Sequence, residues 1–333
     1  MSKWKIYILL IFILFGMAGC AGEKGAKAVV ISDMKYEDVL QCDLEAERPS
    51  KKEEQGGEIN CLDVGKAYRL KKHLAEEYYE SYDEIVMIDG KNKISKLKYP
   101  IEDQVMLIGS AQGDNFLGFK IDYSWEEDNY QYSVQICNGE GEIVRKKALD
   151  YLNSPEFIFP VAVIEDVNNN IVVAWEDHYD VVSDGEQVLS CEIPENFCFY
   201  RFLPLPGGEI ALDLISFDQE DGWVSHINHR ITELNRNDEK ACIIEYDELD
   251  ERLDKICSVN RFDDNQIVAA DMEGLYLSDF SFKKIYKIYD WKDHNISVSN
   301  IYNIAADENG TIYALIESET GTRYIVFHSE DKK

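Results

Sequence analysis

Histidines and clustered carboxylates are the first residues to weigh for chemistry. The chain has six histidines. His226 and His229, in "HINH", sit three apart, so on a strand they point to opposite faces and share no metal. His73, His178, His294 and His328 are scattered and lack the spacing of an H-E-x-x-H helix. "DVNNN", from Asp166, opens like an oxygen-rich calcium loop. It lacks the glycine that should follow, and its twelfth position is Asp177 rather than a bidentate glutamate. A tight turn between strands explains the same residues. Acid pairs recur, as in "WEEDN" and "YDELDE", and no spacing singles out two carboxylates for glycoside hydrolysis. Neither a G-x-S-x-G elbow nor a phosphate-binding glycine loop is present. The expectation is a protein that binds rather than catalyses, with no cofactor, no metal and no catalytic residue.

Cysteine chemistry is more specific at one position. Lys3 and Lys5 precede an apolar run from Ile6 to Phe15, followed by "GMAGC". The run is too short for a bilayer, which needs ~20 apolar residues. It fits the ~7–15 residues of a secretory h-region. Small residues Ala18 and Gly19 stand directly before Cys20. This resembles the lipobox of bacterial lipoproteins, with Met17 where leucine is usual. The resemblance implies that Cys20 receives a diacylglycerol thioether and becomes the mature N-terminus. Two acyl chains anchor stably, because each buried CH₂ adds ~0.8 kcal/mol and one chain is marginal. The alternatives are an ordinary signal peptide cut nearby and an uncleaved anchor. The implied organisation is a signal peptide over 1–19, a lipid tether over 20–26 and a folded body over 27–333. That places the body at the cell membrane, lipid-anchored on the extracytoplasmic side.

Lys+Arg 34 against Asp+Glu 64 give a net charge of −30, and −32 once Lys3 and Lys5 leave with the signal. That excludes nucleic acid as a partner, since a phosphate backbone needs a basic footprint. It disfavours lying flat on anionic lipid and favours neutral or cationic partners. Hydrophobic content of 45%, with 20 Tyr and 14 Phe, is enough for a core. Seven cysteines remain after Cys20, an odd number without a C-x-x-C pair. Cys191 with Cys198 and Cys42 with Cys61 are possible disulfides; buried single thiols are the alternative.

Elements that could position these groups recur along the chain. Residues 45–57, "EAERPSKKEEQGG", read as a charged loop. Beyond them the chain is rich in short β-type runs punctuated by Gly, Asn and Asp. Only residues 68–79 suggest a helix, and strand plus loop fits them equally. An apolar strand, a polar turn and a second apolar strand recur as "VMLIGSAQGDNFLGFKI" from Val105, "PVAVIEDVNNNIVVAWE" from Pro160 and "YRFLPLPGGEIALDLIS" from Tyr200. "CSVNRFDDNQIVAADM" from Cys257 and "NIYNIAADENGTIYALIE" from Asn300 repeat the pattern. The turn residues Gly113, Asn169, Gly208, Asn265 and Asn309 are 56, 39, 57 and 44 apart. These intervals bracket the ~40–50 residues of a four-stranded propeller blade. Extending each hairpin gives six units, the first being 58–64, 68–71, 84–88 and 93–99. The sixth unit has three strands, and residues 27–32, "KAVVIS", are expected to supply its fourth and close the ring.

The five hairpins, over about residues 100–328, resemble bacterial six-bladed β-propellers of the TolB-like or NHL-like kind. No Trp-Asp blade ends and no repeated kelch Gly-Gly are present. A β-sandwich or a seven-bladed ring is the competing fold. The resemblance implies a ligand face made of loops joining strands two and three of a blade, and of loops joining successive blades. On this strand map those loops carry Trp125, Tyr151, His178, Tyr246, Trp291 and His294 among acids, with Trp223 just beyond one. Aromatic faces stack on sugars or grip cations, so the partner expected is a protein, a peptide or a carbohydrate. Each tryptophan has a second reading, as a ring filling the gap between blades. The function implied is a lipid-anchored binding or scaffolding module, linked to solute uptake or envelope assembly. A carbohydrate-active hydrolase or lyase on the same scaffold is the first alternative. The second is the N-terminal part of a larger lipoprotein, since the chain stops at "HSEDKK" where a strand is due.

Overall fold

A computed structural model of the chain describes residues 36–43, 53–75, 82–88, 94–100, 105–205, 209–220, 223–234, 242–244, 256–263, 265–279, 284–319 and 321–329. For 36–43, 53–59, 74–75, 94, 99–100, 218–220, 223–228, 233 and 242–244 only the backbone is described. The signal segment, Cys20, residues 27–32 and Tyr246 lie outside these residues.

The strands form six four-stranded antiparallel sheets. After β1 (Tyr36–Asp43), blade one holds β2 (Glu53–Asp63), β3 (Lys66–Ala75), β4 (Tyr82–Ile88) and β5 (Ile94–Pro100). Blade two holds β6 (Leu107–Ser110), β7 (Phe116–Ser124), β8 (Asn129–Cys137) and β9 (Ile143–Ala148). Blade three holds β10 (Ala162–Glu165), β11 (Ile171–Ala174), β12 (His178–Ser183) and β13 (Glu186–Glu192). Blade four holds β14 (Cys198–Pro204), β15 (Ile210–Glu220), β16 (Trp223–Glu233) and β17 (Cys242–Ile244). Blade five holds β18 (Ser258–Arg261), β19 (Gln266–Ala270), β20 (Gly274–Asp279) and β21 (Ile285–Asp290). Blade six holds β22 (Val298–Ala306), β23 (Ile312–Ser318) and β24 (Gly321–Ser329), and its fourth strand is β1 (Tyr36–Asp43).

Beside β24 lies Tyr36–Asp43, paired from Tyr36↔Ser329 to Asp43↔Arg323 with a register shift between Asp38 and Leu40; the expected closing segment 27–32 lies outside the described residues. An outermost strand is half solvated, so the mixed sequence "YEDVLQCD" suits it better than an unbroken apolar run. The charged stretch 45–57 is not all loop, because β2 begins at Glu53 and its Gly56-Gly57 falls at a bulge between Gln55 and Glu58. Residues 66–75 settle as strand rather than helix.

Burial falls from the inner strands to the outer ones. Every residue of β6 and β11 is buried, whereas β13 is exposed along almost its whole length. Strands covered on both faces are selected as continuous Val/Ile runs, which is why alternation is weak in this sequence. Each interface between neighbouring blades has its own apolar cluster. Leu70, Ile85 and Phe116 join blades one and two; Phe119, Val134 and Val173 join two and three. Val172, Phe199 and Leu214 join three and four; Leu203, Val259 and Ile267 join four and five; Leu62, Val86 and Leu315 join six and one. Between blades five and six Phe327 packs edge-on to Tyr289 and Trp291, with centroids at 4.8 and 5.9 Å.

Polar side chains tie the same interfaces. Lys66 donates to the carbonyls of Ala111, Gly113 and Asn115 at 2.5, 2.6 and 3.2 Å, reaching from blade one to the first turn of blade two. Arg145 of blade two contacts Glu165 of blade three at 2.7 Å. Buried Asn260 of blade five donates to Pro204 O at 2.8 Å and Ile304 O at 2.9 Å, on blades four and six. The bonds from Asn260 and Lys66 satisfy backbone carbonyls of inner strands and of a turn that would otherwise be left bare.

The antiparallel meander sorts the connections to two ends. Turns between first and second strands lie at one end. There Asp166 accepts from the amides of Asn168 and Asn170, each at 2.8 Å, and Asp307 from those of Asn309 and Thr311, also at 2.8 Å. Asp166 is thus occupied as a turn former, with Asn169 at φ +62°. At the opposite end lie the turns between second and third strands and the links between blades.

Candidate functional site

That opposite end, the upper face, carries the side chains the sequence singled out. In blade two the turn 125–128 is held locally. Tyr123 Oη donates to Asp128, Glu127 N donates to Ser124 Oγ at 3.3 Å, and Gln131 Nε2 donates to Glu127 at 2.9 Å. Asp128 adopts φ +52°, a left-handed conformation that an aspartate tolerates better than most residues. The bond from Tyr123 to Asp128 raises the phenol pKa above its ordinary value. The result is a fixed turn with Trp125 at its tip, 88% exposed.

Trp125 does not stand alone. Its ring meets Tyr123 edge-on at 4.8 Å; Tyr123 meets Tyr130 at 5.0 Å, and Tyr130 meets Phe157 at 5.3 Å. Phe157 then stacks on Phe159 at 6.2 Å and 14°. Phe157 is 53% and Phe159 42% exposed. Both belong to the link from blade two to blade three, which is clamped to β8. Tyr130 and Ser154 exchange backbone hydrogen bonds, and Ile158 N donates to Tyr132 Oη at 2.9 Å. Five rings thus form one continuous ladder on a rigid base.

Blade three adds a second group. Trp175 stacks on His178 at 5.7 Å and 17°, and its Nε1 donates to buried Asp180 at 3.2 Å. Gln187 Nε2 donates to the other oxygen of Asp180 at 2.6 Å. Tyr151 lies against the same carboxylate; burial first, and then Asp180, push its phenol pKa well above the ordinary range. His178 Nδ1 lies 2.6 Å from Asp177, and that bond holds the exposed Asp177 carboxyl below its usual value.

The sequence-selected residues therefore divide. Trp125 is exposed, and Tyr151 and His178 converge on Asp180. Trp291 takes the packing role instead: it is 1% exposed, donates to Asp271 O at 2.8 Å and seals the interface of blades five and six, so its ring is withdrawn from the surface. His294 is exposed and stacks on Tyr289 at 4.2 Å. Trp223 begins β16, at the same end, but its side chain lies outside the described set. Of the cysteines weighed for disulfides, Cys61, Cys191 and Cys198 carry free thiols. Burial beside Asp63 pushes the Cys61 thiol up to about 12.

Sequence reasoning missed Tyr123, Tyr130, Phe157, Phe159, Trp175 and Asp180. The signal for two of them was present. "PEFIFP" puts phenylalanines between prolines, where no strand can bury them.

Among the described residues no group of three or more His, Cys, Asp or Glu is arranged to hold a metal ion. Among them, too, no helix is long and apolar enough to cross a membrane.

The six sheets and their ring of inner strands define the class: this is a six-bladed β-propeller. No protein-family model matches the chain, and no curated protein matches it. Among solved structures, the β-propeller domain of the trilobed protease from Pyrococcus furiosus is similar over 84% of this chain and 95% of its own, at 13% identity and a TM-score of 0.45. An acylaminoacyl peptidase from Pyrococcus horikoshii is similar over 85% of this chain and 52% of its own, at 13% identity and a TM-score of 0.40. The N10 neuraminidase-like protein of A/little yellow-shouldered bat/Guatemala/060/2010 is similar over 90% of this chain and all of its own, at 9% identity and a TM-score of 0.47.

Proposed function

We propose that the protein is a lipid-anchored, extracytoplasmic binding module of the TolB-like or NHL-like kind that recognises its partner with the upper face of blades two and three. The observation that carries this reading is the ring ladder from Trp125 to Phe159. Scattered exposed apolar residues are ordinary, but a contiguous, locally braced set marks an interaction site. Rigid rings also lose little conformational freedom on binding. Attachment would run through Cys20, with residues 21–35 between it and β1.

Each half has its own check. Mass spectrometry of the membrane-extracted protein should show a mature N-terminus at an acylated Cys20, and Cys20→Ser should release the body from membranes; a start at Met1 refutes the anchor. On a panel of peptides and oligosaccharides, ligands retained by the wild type should weaken at least tenfold with Trp125→Ala plus Phe157→Ala. Turnover of a panel member, with binding indifferent to both rings, refutes the binding role.

A further inference from the structure

The ligand face of blade two is not chemically neutral. Asp122, Glu126, Glu127 and Asp128 surround Trp125, and Asp150 and Glu156 precede Phe157; all six are exposed. Residues 121–130 and 149–161 contain no lysine or arginine. Among the described residues none of these six carboxylates forms an ion pair, and the two with side-chain hydrogen bonds in the turn, Asp128 and Glu127, take them from neutral donors. The rings and the carboxylates thus share one surface whose two segments carry no lysine or arginine.

Both components favour the same visitor. The face of an aromatic ring is the negative side of its quadrupole and attracts a cation placed over it. Carboxylates within reach add a Coulombic attraction that exposed surfaces screen but do not abolish. An anionic polymer is repelled by this surface. A neutral sugar would use the rings and gain nothing from unpaired charge. A lysine or arginine side chain uses everything present: its methylene stem lies along the rings while the charged head meets a carboxylate. A planar guanidinium can also stack on a ring and take a carboxylate in two parallel hydrogen bonds. The ladder offers several adjacent positions of this kind, so a segment with spaced cations fits it better than one small cation.

We infer that the Trp125–Phe159 ladder is a docking surface for an extended, arginine- or lysine-bearing segment of a protein partner. This deepens the proposed function and rests on it, and the net charge of the whole chain, −30, favours approach of such a segment before contact.

The test uses a synthetic peptide with arginine at every third position among Gly and Ser. Two companions carry glutamine or glutamate in place of arginine, and phosphatidylcholine vesicles present a lipid-borne cation. The arginine peptide should bind the wild type and the glutamine and glutamate peptides should not. Trp125→Ala with Phe157→Ala, which leaves the charge unchanged, should raise its Kd at least tenfold. Glu126→Lys with Glu127→Lys should do the same. Glu186→Lys with Glu308→Lys, an equal change of charge on exposed turns at the opposite end of the blades, should alter Kd less than twofold. All four positions of the blade-two variants are exposed, so unfolding midpoints serve as the control for intact structure.

Equal losses from both charge-reversal pairs, or indifference to the ring pair, would reduce the effect to bulk attraction and overturn the inference. So would ring-dependent binding of the vesicles with none of the peptide. Failure of the arginine peptide alongside ring-dependent binding of a neutral ligand overturns the cationic partner and leaves the binding face standing. Failure of every ligand overturns both.

Discussion

Gly109→Ala is expected to unfold the protein at a much lower urea concentration, with a loss of about 3 kcal/mol or more. Gly109 lies in β6, the innermost strand of blade two, against β10 of blade three. A Cβ there would stand 2.0 Å from Val163 O, 2.9 Å from Val163 C and 3.4 Å from Ile164 Cα. All three are backbone atoms, so no rotamer change relieves the clash. The inner strands would have to part by roughly an ångström or more, and a packed interior resists such strain. The same displacement pulls at Gln112 N, which donates to Glu165 at 3.0 Å across that interface. Gly118→Ala is the matched control: its nearest neighbours are the Val105 methyls at 3.3 Å, which can yield, and a loss under about 1 kcal/mol is expected. Urea unfolding followed by tryptophan fluorescence decides the matter. Equal midpoints for Gly109→Ala and the wild type would show that blades two and three are not packed as described.

Asp213→Ala should be comparably severe, at about 3–5 kcal/mol. Asp213 is fully buried in β15 and receives Arg201 Nε at 3.0 Å and His229 Nδ1 at 2.8 Å. Arg201 also donates to Tyr302 O at 2.5 Å and Cys257 O at 3.1 Å, so one guanidinium links blade four to blade six and to the entry of blade five. Its charge is sustained at that depth only because the carboxylate offsets the cost of leaving water. Removing Asp213 strands the cation; removing both partners does not. Arg201→Leu with Asp213→Leu should therefore be less destabilised than Asp213→Ala alone. A double variant at least as unstable as the single one would show that the pair adds stability by its mutual attraction rather than by neutralising a buried charge.

The number of blades was legible in the sequence because hairpin turns are local. Asp307 through Gly310 spell out a turn whose left-handed Gly310, at φ +73°, and side-chain cap depend on little outside the segment. Five such turns at blade-like intervals gave the repeat, and the meander then placed Trp125, Tyr151, His178 and His294 at one end without any coordinates. The closing strand was less legible. The strand that pairs with β24 is "YEDVLQCD", whose mixed charged and apolar residues carry a weaker β signal than "KAVVIS", and pairing with a strand distant in the chain is not written in either segment alone.

Burial of the tryptophans was not legible. Trp125 in "SWEEDN" and Trp291 in "DWKDHN" both stand among charged residues in loops at the same end of the blades. One is 88% exposed and the other 1%. The difference comes from Phe327 and Tyr289, which close over Trp291 from blades six and five, while Trp125 meets the ring of Tyr123 edge-on and stays open to water. The sequence by itself determined the repeat, the turns and the charge, which are properties of short segments. Only the tertiary structure decided which rings face water, because that depends on what the adjacent blade, distant in the chain, places against them.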